Sequence, residues 1–215
     1  EATIEAIKRG VQFVKNGQCS AICTMPISKS ILKEGANFPF PGHTEYLAHL
    51  DESKNYAMML VNKYLRVVPV TIHIPIKDIT KYLNTELIEK TIKTTHQELN
   101  RRFSISNPNI WVSGLNPHAG ENGTIGDEEQ KFIIPIIKKL QSEGYNLLGP
   151  LSADTMFYGK KRPRFDAAIC MYHDQALIPI KTLDFHTSVN LTIGLSFIRT
   201  SPDHGTAFDI AGRNL

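Results

Sequence analysis

Histidine is the residue whose placement in this 215-residue chain most suggests chemistry. Four of its eight histidines stand in short segments marked by proline or glycine: Pro41-Gly42-His43-Thr44, Asn116-Pro117-His118-Ala119-Gly120, Tyr172-His173-Asp174-Gln175 and Pro202-Asp203-His204-Gly205-Thr206. Loops carry function more often than regular elements do. A fifth, His73, sits in a Val/Ile-rich run. Neutral imidazoles suit zinc and similar first-row ions, and three of them leave room for substrate oxygens. His73, His118 and His173 are far apart in sequence and form no local ligand motif, so only the fold can bring them together. From spacing alone His73 reads as an ordinary strand histidine. For His118 and His173 the functional and the structural readings stand level.

Anion chemistry has a second set of candidates. Pro41-Gly42-His43-Thr44-Glu45 opens a helix, where free N–H groups and the helix dipole favour negative charge. A plain N-cap explains Thr44 equally well. Lys181 and Arg199 are candidate cations, and Arg199 is the less ordinary because it ends an apolar run. Gly120, Gly123 and Gly126 give GxxGxxG rather than GxGxxG, and GxxxxGK[ST] is absent. A dinucleotide-binding Rossmann loop and a P-loop are therefore disfavoured, and the three glycines read as a flexible loop leading into a helix. GxSxG is absent, and no thiol is paired with a histidine in sequence.

These loops need elements to position them. Periodicity predicts helices over residues 1–17, 28–33, 44 onward, 85–103 and 127–143, the last despite Pro135, and partly over 174–183. Strands are expected at 20–24, 56–62, 65–76, 109–114, 165–172, 189–193 and 195–200. Residues 39–42 and 116–126 read as loops. Strands alternating with helices indicate an α/β protein, in which ligands bind at the carboxyl ends of strands.

Composition bounds the alternatives. Hydrophobic residues make up 41% and charged residues 21%, as in a globular protein. The longest stretch without Asp, Glu, Lys or Arg, residues 185–198, is too short and polar to cross a bilayer. A net charge of +3, with the basic residues spread along the chain, argues against nucleic acid. Three cysteines without CxxC fit a reducing cytoplasm and read as buried packing thiols. No signal peptide is visible, and the chain opens at Glu1 in a helical pattern, which predicts a piece of a longer protein.

Six motifs occur in one order: Met25-Pro26-Ile27-Ser28-Lys29, Pro41-Gly42-His43-Thr44-Glu45, Asn116-Pro117-His118-Ala119-Gly120-Glu121, Gly149-Pro150-Leu151-Ser152-Ala153-Asp154-Thr155, Tyr172-His173-Asp174-Gln175 and Arg199-Thr200-Ser201-Pro202-Asp203-His204-Gly205-Thr206-Ala207. Together they closely resemble the 4-hydroxythreonine-4-phosphate dehydrogenase family of pyridoxal phosphate biosynthesis, over essentially the whole chain. The resemblance implies a two-lobed α/β/α fold like that of isocitrate and isopropylmalate dehydrogenases, with the active site in the cleft between lobes. The lobe boundary is not assignable from sequence, and family members extend beyond both ends of this chain. The implied reaction is NAD- or NADP-dependent oxidation of 4-phosphooxy-L-threonine, followed by loss of CO2 to give 3-amino-2-oxopropyl phosphate. Family enzymes are cytoplasmic homodimers with metal ligands drawn from both subunits.

The resemblance places the metal ligands at His73, His118 and His173, which reverses the reading of His73 from spacing. Zinc is the first choice of metal, with magnesium, manganese or cobalt as alternatives. It places substrate-binding positions at His43, Thr44, Lys181, Asn190 and Arg199. Asp154, Asp174 and Lys181 are candidates for the catalytic proton acceptor. The segment carrying His204, Gly205, Thr206, Ala207 and Asp209 resembles the adenosine-binding loop of the wider decarboxylating dehydrogenases. The alternatives are a paralogue acting on a four-carbon sugar-acid phosphate (phosphothreonate or phosphoerythronate), a zinc-dependent phosphoester hydrolase and a non-catalytic phosphometabolite-binding protein.

Overall fold

The computed structural model describes residues 1–158 and 165–213. Eight strands form one mixed sheet: β1 (Ala21–Cys23), β2 (Ala57–Val61), β3 (Arg66–Thr71), β4 (Ile110–Ser113), β5 (Leu147–Leu151), β6 (Ala167–Tyr172), β7 (Val189–Ile193) and β8 (Ile198–Pro202). Their spatial order is β1-β8-β7-β2-β3-β6-β4-β5. The half β3-β6-β4-β5 is wholly parallel. In the other half β2 is antiparallel to both β3 and β7, β7 is antiparallel to β8, and β1 is parallel to β8.

The helices are α1 (Ala2–Lys15), α2 (Lys29–Ala36), α3 (His43–Asp51), α4 (Ile79–Tyr82), α5 (Thr85–Phe103), α6 (Ile134–Ser142), α7 (Ala153–Met156) and α8 (His173–Leu183). One wide π-type turn, Glu129–Ile133, leads into α6. Pro135 stands at the start of α6, directly after this turn. Asn84 caps α5 by accepting the N–H of Leu87 at 2.9 Å. The predicted bounds of α5 coincide with the observed ones.

Strand alternation sorts the core into two layers. Met59, Val68, Val70, Ile110, Val112, Ile169 and Met171 face α5 and α6. Met58, Leu60, Val67, Ala168 and Cys170 face α7 and α8. This α/β architecture agrees with the expected class. A third cluster joins α1, α2 and α3 to Leu195 and Phe197 in the β7–β8 connection. Among the described residues no helix is long and apolar enough to cross a membrane.

Some local expectations fail. The strand expected over 65–76 ends at Thr71, so His73 lies beyond it, at φ 51°. β5 and α7 were not expected. Only Cys170 is a buried thiol; Cys19 and Cys23 are exposed.

A buried ion pair ties α5 to the β7–β8 connection. Glu98, 2% exposed, accepts from Arg102 Nε at 2.6 Å. Arg102 also donates to the carbonyls of Leu195 and Phe197, at 2.8 and 3.0 Å. Arg102→Ala leaves the Glu98 carboxylate in the interior without its nearest cation. We expect a loss of about 3 kcal/mol in urea unfolding. A loss under about 1 kcal/mol, the range of surface pairs, would contradict this role.

Candidate active site

The polarity of the strands gathers the site residues at one edge. β3, β6, β4 and β5 all end there. His73 follows β3, His173 follows β6, His118 follows β4 and Asp154 follows β5. β7, antiparallel to β2, ends at the same edge, and β8 begins there. That brings Thr192 and Arg199 into register as cross-strand partners.

Arg199 is 3% exposed. Its Nη1 donates to Thr192 Oγ1 at 2.9 Å, and its Nη2 and Nε donate to Thr24 Oγ1 at 2.7 and 3.2 Å. Among the described residues no carboxylate forms a salt bridge with it; Glu45 acts only at longer range. Burial holds the guanidinium pKa down to about 10, and it remains a cation at neutral pH. A buried charge held only by neutral hydroxyls is poorly compensated, so this site favours an anion. His43 and Thr44 open α3 beside it, with Thr44 Oγ1 3.5 Å from Thr192 Oγ1. The His43 pKa is lowered to about 4, by burial first and then by Arg199 and Lys29. His43 is therefore neutral at pH 7 and can donate one N–H to a ligand.

Lys29, at the start of α2, is the residue that sequence reasoning missed. Its ammonium acts on both His43 and His73. A Cβ on Gly42 would lie 3.4 Å from Lys29 Cε and 3.6 Å from Nζ, which places the lysine stem against the start of α3. Its signal in the sequence was the Met25–Lys29 motif, which carried no assigned role.

The rings of His73 and His173 lie 5.7 Å apart, centroid to centroid. Two imidazoles on one ion, with metal–nitrogen bonds of about 2.1 Å, have centroids roughly 5 Å apart, so this pair fits a shared ion. The His73 pKa is lowered to about 4, by burial first and then by Lys29 and His173, which keeps that ring in the form able to ligate. Asp174 Oδ1 lies 3.4 Å from His173 Nδ1. His118 does not join the pair: among the described residues no group of three His, Cys, Asp or Glu is placed to hold a metal.

His118 belongs instead to a compact turn, Pro117–Gly123. Its backbone runs through five left-handed residues, with φ 53° at His118, 52° at Ala119, 76° at Gly120, 40° at Glu121 and 57° at Asn122. Four of these are not glycine, and each costs on the order of 1 kcal/mol. The segment expected to be a flexible loop is thus a specified turn. Glu129 packs against it: a Cβ on Gly120 would lie 2.5 Å from Glu129 Oε2.

The candidate proton acceptors line two adjoining grooves, with Asp174 in both. Asp154 on α7 is exposed, with its pKa lowered mainly by the Ser152 hydroxyl at 2.6 Å and also by His118. It shares a groove of about 440 Å³ with Asp174, Phe157 and Ile178. Lys181 stands two turns along α8 from Asp174, lines a second groove of about 390 Å³ with His173 and Asp174, and pairs with Asp203 at 3.0 Å. Asn190, two residues before Thr192 on the same face of β7, has a buried Oδ1 with no hydrogen-bond partner among the described residues. His204, Gly205 and Thr206 line a third cavity, about 440 Å³, with Met25, Ile31 and Phe208. Ala207 and Asp209 follow in the exposed segment beyond it.

The lowered histidines set a pH dependence. The folded values near 4 for His43 and His73 lie below the ordinary 6.5, so between pH 6.5 and 4 the unfolded chain binds more protons. Stability is full above 6.5 and declines as pH falls toward 4. His43→Gln should flatten part of that decline in thermal melts between pH 7 and 4.5. An unaltered slope would remove His43 from the account.

The family model of the pyridoxal phosphate biosynthetic protein PdxA matches residues 1–215. The 4-hydroxythreonine-4-phosphate dehydrogenase of Paracoccus denitrificans is 54% identical over all of this chain and 68% of its own length. The crystal structure of that enzyme from Klebsiella pneumoniae is 42% identical with a TM-score of 0.87, covering 96% of this chain and 62% of its own. A terephthalate 1,2-cis-dihydrodiol dehydrogenase from Burkholderia xenovorans is 30% identical with a TM-score of 0.73, over 96% of this chain and 65% of its own. The chain spans about two thirds of the length of these relatives. A family match along its whole length shows that the chain belongs to the PdxA family.

Proposed function

We propose that this protein oxidises 4-phosphooxy-L-threonine with NAD or NADP and decarboxylates the product to 3-amino-2-oxopropyl phosphate, a step of pyridoxal 5′-phosphate formation. The observation that carries this reading is Arg199, a buried cation lacking an anion at an edge lined by neutral imidazoles. The names of the relatives supply the substrate class.

In this reading Arg199 binds an anionic group of the substrate, with Thr24 and Thr192 fixing its guanidinium. His43 and Thr44 add neutral donors from the start of α3. Lys181 and Asn190 extend the same surface, Lys181 exchanging its Asp203 partner for the ligand. His73 and His173 hold a divalent ion, zinc by donor type, with His118 as the third ligand. Such an ion, when bound, lowers the pKa of the substrate hydroxyl and stabilises the enolate left by decarboxylation. Asp154, Asp174 or Lys181 would take the hydroxyl proton, and a nicotinamide, when bound, would accept the hydride from the carbon that bore it. The carbon–carbon bond to the carboxylate then breaks, its electron pair entering the enolate as CO2 departs. The segment with His204, Gly205, Thr206, Ala207 and Asp209 binds the adenosine end of the cofactor, beside the cavity that Met25 and Ile31 help line.

His118 comes from a second copy of the chain in this reading. Its separation from the His73–His173 pair supports that, as do Ile178, Leu183 and Phe185, exposed large apolar side chains on and just beyond α8. We place the homodimer in the cytoplasm.

Two experiments test the reading. The full polypeptide should reduce NAD or NADP, followed at 340 nm, with 4-phosphooxy-L-threonine only when divalent metal is present, and should prefer it to phosphothreonate. Preference for phosphothreonate would move the protein to sugar-acid oxidation, and silence with both would end the dehydrogenase reading. His118→Ala and His173→Ala, each inactive alone, should regain about a quarter of wild-type activity after subunit exchange, because half the dimers are mixed and each carries one intact site. No recovery once mixed dimers are shown to form would exclude a site shared in this way.

A further inference from the structure

Glu129 is a buried carboxylate, 1% exposed, with no salt bridge to a cation among the described residues. Burying an ionised group is expensive unless its oxygens are fully hydrogen-bonded. Here they are. Oε1 accepts the backbone N–H groups of Leu115 and Asn116, both at 2.7 Å, and Oε2 accepts Asn116 Nδ2 at 2.9 Å. Glu128 Oε2 takes the other bond of that amide at 2.7 Å. A Cβ on Gly120 would lie 2.5 Å from Oε2, and one on Gly114 would lie 3.0 Å from Oε1. The carboxylate thus grips the chain just before His118 and occupies the concave side of the left-handed turn just after it. The π-type turn that begins at Glu129 is the backbone feature from which it does so. Such turns are over-represented at functional sites.

We propose that Glu129 is the positioning residue for His118: its charge holds the strained turn in the one conformation that delivers the imidazole to the site edge. A glutamine cannot replace it. An amide offers one acceptor oxygen, and its NH2 would face either the two backbone N–H groups or the Asn116 amide, donor against donor. The proposal takes from the functional reading only that His118 is the group delivered.

The test reads His118 directly, in the full polypeptide with 13C-labelled histidine, its ring resonance assigned by His118→Gln. Glu98→Gln serves as the control, since it removes a different buried carboxylate. Glu129→Gln should shift the His118 resonance and speed amide exchange at Leu115 and Asn116 at least tenfold, leaving the His43 and His204 resonances in place. Glu98→Gln should lower the melting temperature without moving His118. Should the glutamine variant fail to fold, Glu129→Asp, which keeps the charge but is one methylene short, should give the same shift. An unmoved His118 resonance, or one moved equally by Glu98→Gln, would overturn the proposal. Because the readout is a resonance, failure of the wild-type enzyme to turn over would be a separate result, telling against the dehydrogenase reading alone.

Discussion

Arg199 places a full positive charge inside the protein, hydrogen-bonded among the described residues only to threonine hydroxyls. Left without an anion, such a charge weakens the fold, and much of the surrounding structure follows from its placement. β8 must pair with both β1 and β7 for Thr24 and Thr192 to meet the guanidinium from either side. α3 must begin beside it to bring His43 and Thr44. The same positive field, with Lys29 added, helps keep the His43 ring neutral. A phosphate or carboxylate at this point would satisfy the cation and collect donors already facing it.

The sheet supplies the rest through strand direction. Four parallel strands end at one edge, so residues distant in sequence arrive there together, His73 against His173 most closely. The fold alone does not choose the substrate. A dihydrodiol dehydrogenase shares it at 30% identity, and its named substrate is unrelated to a phosphorylated amino acid. In the proposed reading the choice lies in side chains at the site edge, such as Arg199, Asn190 and Lys181. The His118 turn shows another economy of the design: a strained backbone is held by a buried carboxylate that needs no counter-ion, because three N–H donors already serve it.

How far this was legible in the sequence depended on whether the deciding contacts were local. α5 was legible to the residue, because its apolar face repeats with helical period and Asn84 caps it. The His118, His173 and Arg199 segments stood out by local composition. The end of β3 did not: its β-branched run reads on through Ile72, Ile74 and Ile76, and nothing local marks the left-handed turn at His73. Lys29, Thr24, Thr192 and Glu129 escaped because their partners lie on other elements or in loops distant in sequence. The pairing of His73 with His173, and the distance of His118 from both, depend on strand order, which no spacing encodes.

The account stands or falls on Arg199 being kept for a ligand rather than for the fold. Arg199→Met, a substitution of similar bulk without charge, separates the two roles. Calorimetric titration with 4-phosphooxy-L-threonine, beside urea unfolding of the ligand-free protein, reads both. The account predicts affinity weakened by about a hundredfold or more, as for loss of a buried charge-assisted contact, while the ligand-free variant is as stable as wild type or more so. Undiminished affinity, with a fold weakened by several kcal/mol, would show that Arg199 serves the structure and that the anion lies elsewhere.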